Sequence, residues 1–199
     1  PDCISIAMAQ LTPRYLVSFQ PKEIPHRFTD VLIVGGGLAG LRAANEIPSD
    51  LSVMIVTKDA LLQSSSNYAQ GGIASVIDPE DRFEDHINDT LTAGGALCDR
   101  EIVDMVVREA PERILELVQW GTRFDSQAGV LQLGKEGGHS HHRVVHALGD
   151  ATGREVMRAM VAWTQQSSNI QILQNTFTLD LLTHEGSCRG ALIAHQDGQ

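Results

Sequence analysis

Two hydrophobic patterns alternate early in the chain. Val31–Val34 (VLIV) is wholly apolar, the pattern of a strand buried on both faces of a parallel sheet. Leu38, Leu41, Ala44 and Ile47 then recur at helical spacing, and Pro48 stops that helix. Residues 51–56 (LSVMIV) form a second buried strand. Strand, glycine turn, helix and strand in this order predict a βαβ unit.

Downstream, residues 85–97 read as a helix with His86, Asp89 and Thr90 on its polar side. Residues 100–120 read as mostly helical, broken or restarted by Pro111 and closed by Gly121. Residues 122–150 are rich in glycine and histidine and carry little periodicity. Thr152 and Glu155 fit a capping box, with Thr152 as N-cap of a helix reaching about Gln166. IQILQNT, FTLDLLTH and CRGALIAHQ read as three strands, the last two joined by a turn at Glu185, Gly186 and Ser187. Trp120, Trp163 and Phe177 are expected in the core. The expected fold class is α/β: a Rossmann-type domain with a parallel sheet plus a small antiparallel β element. Residues 1–29, with Pro13, Pro21 and Pro25, read as an irregular lead-in to a domain over residues 30–199. Met8 suggests that residues 1–7 precede a natural start, and the far end suggests truncation.

Composition narrows the function. A net charge of −10 leaves no basic stripe for nucleic acid, so an anionic ligand would rest on backbone N–H groups, helix N-termini or a few placed cations. Cys3, Cys98 and Cys188 are odd in number and widely spaced. That argues against a disulfide framework or structural zinc and points to a reducing, cytoplasmic setting. No apolar run reaches the roughly 18 residues of a membrane span.

The candidate chemistry begins at Gly35-x-Gly37-x-x-Gly40, the dinucleotide fingerprint. Gly35 allows the tight turn, Gly37 lets a pyrophosphate approach the backbone, and Gly40 lets helix and strand pack. Gly36, Leu38 and Ala39 complete that turn. The acid expected at the end of the second strand is replaced by Thr57 and Lys58, which disfavours a simple NAD site. The run Ser65, Ser66, Asn67, Tyr68, Ala69, Gln70, Gly71 and Gly72 offers short donors and backbone N–H groups to a flat polar ligand. An ordinary surface loop is the plain alternative. In HSHHRVVH, His139, His141 and His142 crowd too closely to converge on one ion, so no metal site is expected. His141 and His142 read as solvated. Arg143 reads as a complement to ligand charge or as a surface ion pair.

VLIVGGGLAGLRAA, SSSNYAQGGIASV and KEGGHSHHRVVHALGDATGRE together resemble the flavoprotein family of L-aspartate oxidase, succinate dehydrogenase and fumarate reductase. The resemblance implies FAD as cofactor. Ser65 stands where the membrane-complex members carry the histidine that bonds FAD covalently, which implies non-covalent FAD. Glu136 stands where the oxidases carry a glutamate at the substrate amino group, which implies a catalytic-site role and favours the L-aspartate oxidase branch. In that branch aspartate is oxidised to iminoaspartate, with oxygen or fumarate as acceptor, as the first step of quinolinate and NAD synthesis. Quinolinate synthase is then a possible partner. His139 and Ser140 are implied to border the flavin. Lys135 departs from the family's commoner arginine. The family's capping and C-terminal helical domains have no counterpart in residues 30–199. The alternatives are a fumarate reductase or succinate dehydrogenase flavoprotein, or a non-catalytic FAD-binding fragment.

Overall fold

A computed structural model describes residues 15–196. Cys3 and the lead-in before Tyr15 lie outside them. Residues 15–29 form neither helix nor strand.

Strand β1 (Val31–Val34) leads into helix α1 (Leu38–Asn45) and strand β2 (Val53–Val56), as the periodicity predicts. The strands pair in parallel, Val31 opposite Val53 through Val34 opposite Val56. Of these two strands, only β2 is buried throughout. It lies between β1 and strand β8 (Ile170–Leu173), so β1 is an edge strand and Val34 is exposed rather than enclosed on both faces.

Between β2 and β8 run strand β3 (Ile73–Ala74), helices α2 (Phe83–Gly94) and α3 (Arg100–Gln119), four two-residue strands and helix α4 (Thr152–Thr164). Leu41 and Ala44 of α1 and Val156, Met157 and Met160 of α4 form the core with Ile55 of β2 and Ile114 of α3. Strand β9 (Thr176–His184) and strand β10 (Ser187–His195) form the expected antiparallel hairpin. Glu185 and Gly186 both have positive φ, as a two-residue turn requires. Among the described residues no helix is long and apolar enough to cross a membrane.

Several local expectations are corrected. Helix α2 starts at Phe83, and His86 is buried on its inner side rather than on a polar face. Helix α3 runs unbroken through Pro111, with Val107 and Ile114 buried on either side of it. Packing on both sides outweighs the backbone hydrogen bond that proline cannot donate. Thr152 is not an N-cap: that place is taken by Ala151, with no side-chain cap. The Thr152 hydroxyl instead accepts from the Ala147 amide at 3.1 Å. Glu155 is buried and accepts from the Arg123 amide at 2.9 Å. Arg158 beside it lowers its pKa; burial opposes this, and the Arg123 amide assists. Trp120 and Trp163 stack on each other at 6.0 Å, with Trp163 partly exposed, and Phe177 is open to solvent. Tertiary partners decide these positions, and local sequence does not display them.

Candidate functional site

Ligands in open parallel sheets bind beyond the carboxyl ends of the strands. A cleft of about 610 Å³ lies there, lined by Val34 and Gly35 after β1, Thr57 and Lys58 after β2, Ser65 and Tyr68 of the next loop, and Phe177 of β9. Four of the predicted cofactor residues therefore share one cavity: Gly35, Lys58, Ser65 and Tyr68. Phe177, read as core, is its exposed apolar wall.

The fingerprint turn stands at the rim. Gly35 has φ +116°, which excludes most side chains. A Cβ at Gly40 would overlap the Gly35 carbonyl oxygen, so its small size brings helix and strand together. Gly37 differs: a Cβ there would meet only the Ser66 hydroxyl, at 3.3 Å. Leu38, at the first position of α1, donates its amide to Ser66 Oγ at 3.2 Å. Ser66 thus occupies the helix N-terminus, where N–H groups and the dipole favour an anion. Asn67 Oδ1 is buried without a protein partner. A backbone donor set, an uncrowded Gly37 and Lys58 in the cleft fit a dinucleotide diphosphate.

Sequence reasoning missed Gly153. Its amide donates to the Ala69 carbonyl at 2.9 Å, and a Cβ would collide with the Ser66 carbonyl. The N-terminus of α4 is thereby seated against the loop of residues 64–72. The quoted DATGRE was the available signal, but it reads equally as a helix start.

The second half of the site rests on a three-stranded antiparallel sheet. Strand β7 (Val144–Val145) lies between β3 and strand β6 (Leu133–Gly134). Val145 opposes Ile73 and Leu133; Val144 opposes Ala74 and Gly134. Because β3 directly follows Gly71 and Gly72, this pairing brings the two glycine-rich segments together. Residues 135–143 become the hairpin loop between β6 and β7. A further small hairpin, strand β4 (Ser126–Gln127) with strand β5 (Val130–Leu131), precedes it.

The hairpin loop is anchored by Arg143, neither a surface ion pair nor a ligand-facing cation. Its side chain is fully buried. Nε and Nη2 meet the two oxygens of Asp81 at 2.8 and 2.7 Å, and Nη1 meets Asp89 at 2.6 Å. Ser140 donates its amide and its hydroxyl to Asp89, each at 2.7 Å. Burial alone would raise the Asp89 pKa, but Ser140 and then Arg143 outweigh it and hold it at about 2. His141 is half-buried, with its side chain 37% exposed and Nδ1 3.0 Å from Ser140 Oγ. Burial lowers the His86 pKa, with Arg143 and His139 adding to the effect. Asp81, Asp85 and His141 bring three ligand-type atoms within reach of one ion. Arg143 already matches Asp81, and Arg82 holds both oxygens of Asp85 at 2.8 and 2.9 Å. His139 and Ser140 line neither cavity of the site and are directed into this network.

Glu136 is exposed at the start of the loop, and its Oε1 lies 3.2 Å from His146 Nε2. His146 also lines a second cavity, of about 600 Å³, with Asp125, Gln132 and Gly134.

L-aspartate oxidase 2-b, chloroplastic, of Nicotiana tabacum is 45% identical over 176 residues, covering 86% of this chain and 27% of the tobacco protein. The L-aspartate oxidase of a Nostoc strain is 41% identical over 186 residues, covering 92% of this chain and 32% of its own length. Among solved structures, E. coli quinol fumarate reductase superposes with a TM-score of 0.79 at 30% identity, covering 83% of this chain and 29% of that one. The chain therefore spans about a third or less of the length of these relatives. The family model described as an FAD binding domain matches residues 30–199, and on that match the chain belongs to the FAD binding domain family, with FAD as its cofactor.

Proposed function

We propose that this chain is the FAD-binding part of an L-aspartate oxidase, oxidising L-aspartate to iminoaspartate with oxygen or fumarate as electron acceptor. The observation that carries the reading is Glu136: a solvent-facing carboxylate at the head of the hairpin loop, in a chain 45% identical to a plant L-aspartate oxidase. A carboxylate there pairs with the ammonium of aspartate and disfavours a plain dicarboxylate. Residues 30–199 form the FAD-binding domain; the clamp for the substrate carboxylates would come from chain beyond it.

Bound FAD supplies the two-electron acceptor for converting the amine to the imine. Gly35, Gly37 and the N-terminus of α1 hold the diphosphate, Lys58 balances its charge, and Ser65, Ser66, Asn67, Tyr68, Ala69, Gln70, Gly71 and Gly72 flank the rest. Ser65 cannot form the covalent link that a histidine would, so FAD is held non-covalently. Glu136 orients the substrate amine. Placement in the first step of quinolinate and NAD synthesis follows from this activity; a cytoplasmic setting, read from the three widely spaced cysteines, and quinolinate synthase as partner are separate parts of the same proposal.

The test uses a chain of the relatives' full length carrying this sequence. Glu136→Gln should lower kcat/KM for aspartate roughly ten- to a hundredfold, the range for one hydrogen bond to a charged group. Fumarate reduction should persist. Equal losses on both substrates would overturn the assignment of Glu136. Acid precipitation should release the yellow colour into the supernatant; flavin retained in the pellet would contradict non-covalent binding.

A further inference from the structure

The histidine that closes HSHHRVVH is wedged between the two glycine-rich segments. It follows Val145 of β7, so its side chain falls on the same face as Val144 and as Gly134 opposite it. A Cβ at Gly134 would stand 2.7 Å from His146 Cε1, and a Cβ at Gly72 would stand 2.9 Å from Cδ2. The ring fills the space that Gly134 leaves, and at Gly72 it stands behind the still closer Val145 carbonyl and Val144 side chain. Its backbone carbonyl accepts from the Asp125 amide at 2.8 Å. The imidazole therefore has little freedom to turn. Its Nε2 faces Glu136 at 3.2 Å. In the tautomer with the proton on Nε2, the ring donates to this carboxylate oxygen.

We propose that His146 is the positioning residue of Glu136, fixing one carboxylate oxygen so that the other is presented to the substrate ammonium. This rests on the reading of Glu136 as the amine-binding carboxylate. A mostly exposed glutamate on a loop containing Gly137 and Gly138 would otherwise sample many rotamers, and binding would have to order it. His146 supplies that order beforehand from a rigid strand end. The same ring touches the space beside Gly72, so substrate recognition and the cofactor-binding loop share one anchor.

The experiment is ligand binding to the FAD-loaded, full-length protein, read from the flavin absorbance spectrum without turnover. The probes are 2-methylaspartate and 2-methylsuccinate. Both lack a reactive Cα–H beside an amine, and they differ by the ammonium group alone. His146→Leu should raise the Kd for 2-methylaspartate roughly tenfold, the weight of one hydrogen bond to a charged group, and leave 2-methylsuccinate unchanged. His146→Gln, which keeps a donor at similar reach, should restore most of the loss. His146→Asn, whose amide is too short to reach Glu136, should not. This second pair keeps the test open if the leucine variant fails to fold. Equal weakening of both ligands, or no weakening of either, would show that the ring only packs, and equal behaviour of the glutamine and asparagine variants would overturn the positioning role too. Glu136→Gln serves as the control on the underlying reading. If it leaves the ratio of the two affinities unchanged, the amine-binding role of Glu136 fails and the proposal fails with it. If it abolishes the ratio while His146→Leu does not, only the role of His146 fails.

Discussion

The two halves of the site are held by different forces. At the mouth of the parallel sheet, the α1 turn is shaped by missing side chains and backbone groups: Gly35 turns, Gly40 lets helix meet strand, and the Leu38 amide leans on Ser66. In the hairpin loop of residues 135–143, an arginine with no solvent exposure grips two aspartates, Asp81 just before α2 and Asp89 within it. The first design leaves donors available to an anion. The second consumes its own charges and gives a ligand little except Glu136 at the head of the loop. One half is open to a ligand, and the other is closed on itself.

Breaking the charged half should cost most. Arg143→Met leaves Asp81 buried without its partner, and losing one member of a buried pair costs roughly 3–5 kcal/mol, read as a large fall in Tm. Arg143→Lys should fall between, since it keeps the charge but cannot bond both Asp81 oxygens and Asp89 together. An unchanged Tm in Arg143→Met would remove the contrast between the halves.

Gly40→Ala comes next. The new methyl would overlap the Gly35 carbonyl, a backbone atom with no room to yield, at a cost of about 3 kcal/mol, the upper end for overpacking. Gly37→Ala is its counterpart and should leave Tm almost unchanged while weakening FAD binding, because that Cβ meets only the Ser66 hydroxyl. Equal effects of the two on Tm would show that the turn does not separate packing from binding.

Acid should loosen the charged half selectively. Asp89 is held at about 2 in the folded chain, below the ordinary 3.8 of an aspartate. Its contribution is fully present above about pH 4 and is lost as pH falls towards 2; the shift corresponds to about 2 kcal/mol. Denaturant titrations across that window should show the slope, and Asp89→Asn should flatten it.

The smallest effect belongs to Ser66→Ala. Removing the acceptor at the start of α1 should cost about 1 kcal/mol, as for a lost helix cap, and less when FAD is bound. An equal loss with and without FAD would argue that the ligand does not approach that end of the helix.

How much of this was legible in the sequence follows the same division. The βαβ unit and the fingerprint were readable because strand, turn and helix are each encoded locally, by periodicity and by glycines at fixed offsets. The β9–β10 hairpin was readable for the same reason. The sheet of β3, β7 and β6 was not: each strand has two residues, too short for a period, and Ile73 meets Val145 across a long intervening chain. Arg143 looked like a surface cation because its partners, Asp81 and Asp89, are far upstream. Thr152 and Glu155 matched a local capping pattern, but Ala147 and Arg123 claimed them instead.

The pairing of β2 with β8, from Val53 with Ile170 to Val56 with Leu173, also constrains how the chain comes together in time. Strands β1 and β2 are joined by one short helix and can associate early. Strand β8 can join only after the whole segment from Thr57 to Asn169 has been gathered into a closed loop, an entropic cost that slows long-range pairing. Ser66, Asn67, Glu136 and His146 all lie inside that loop. The glycine fingerprint is contained in the local βαβ unit, whereas the hairpin loop of residues 135–143 lies within the long segment that the pairing of β2 with β8 closes, so a chain that has formed only its βαβ unit would already show the fingerprint while lacking that loop.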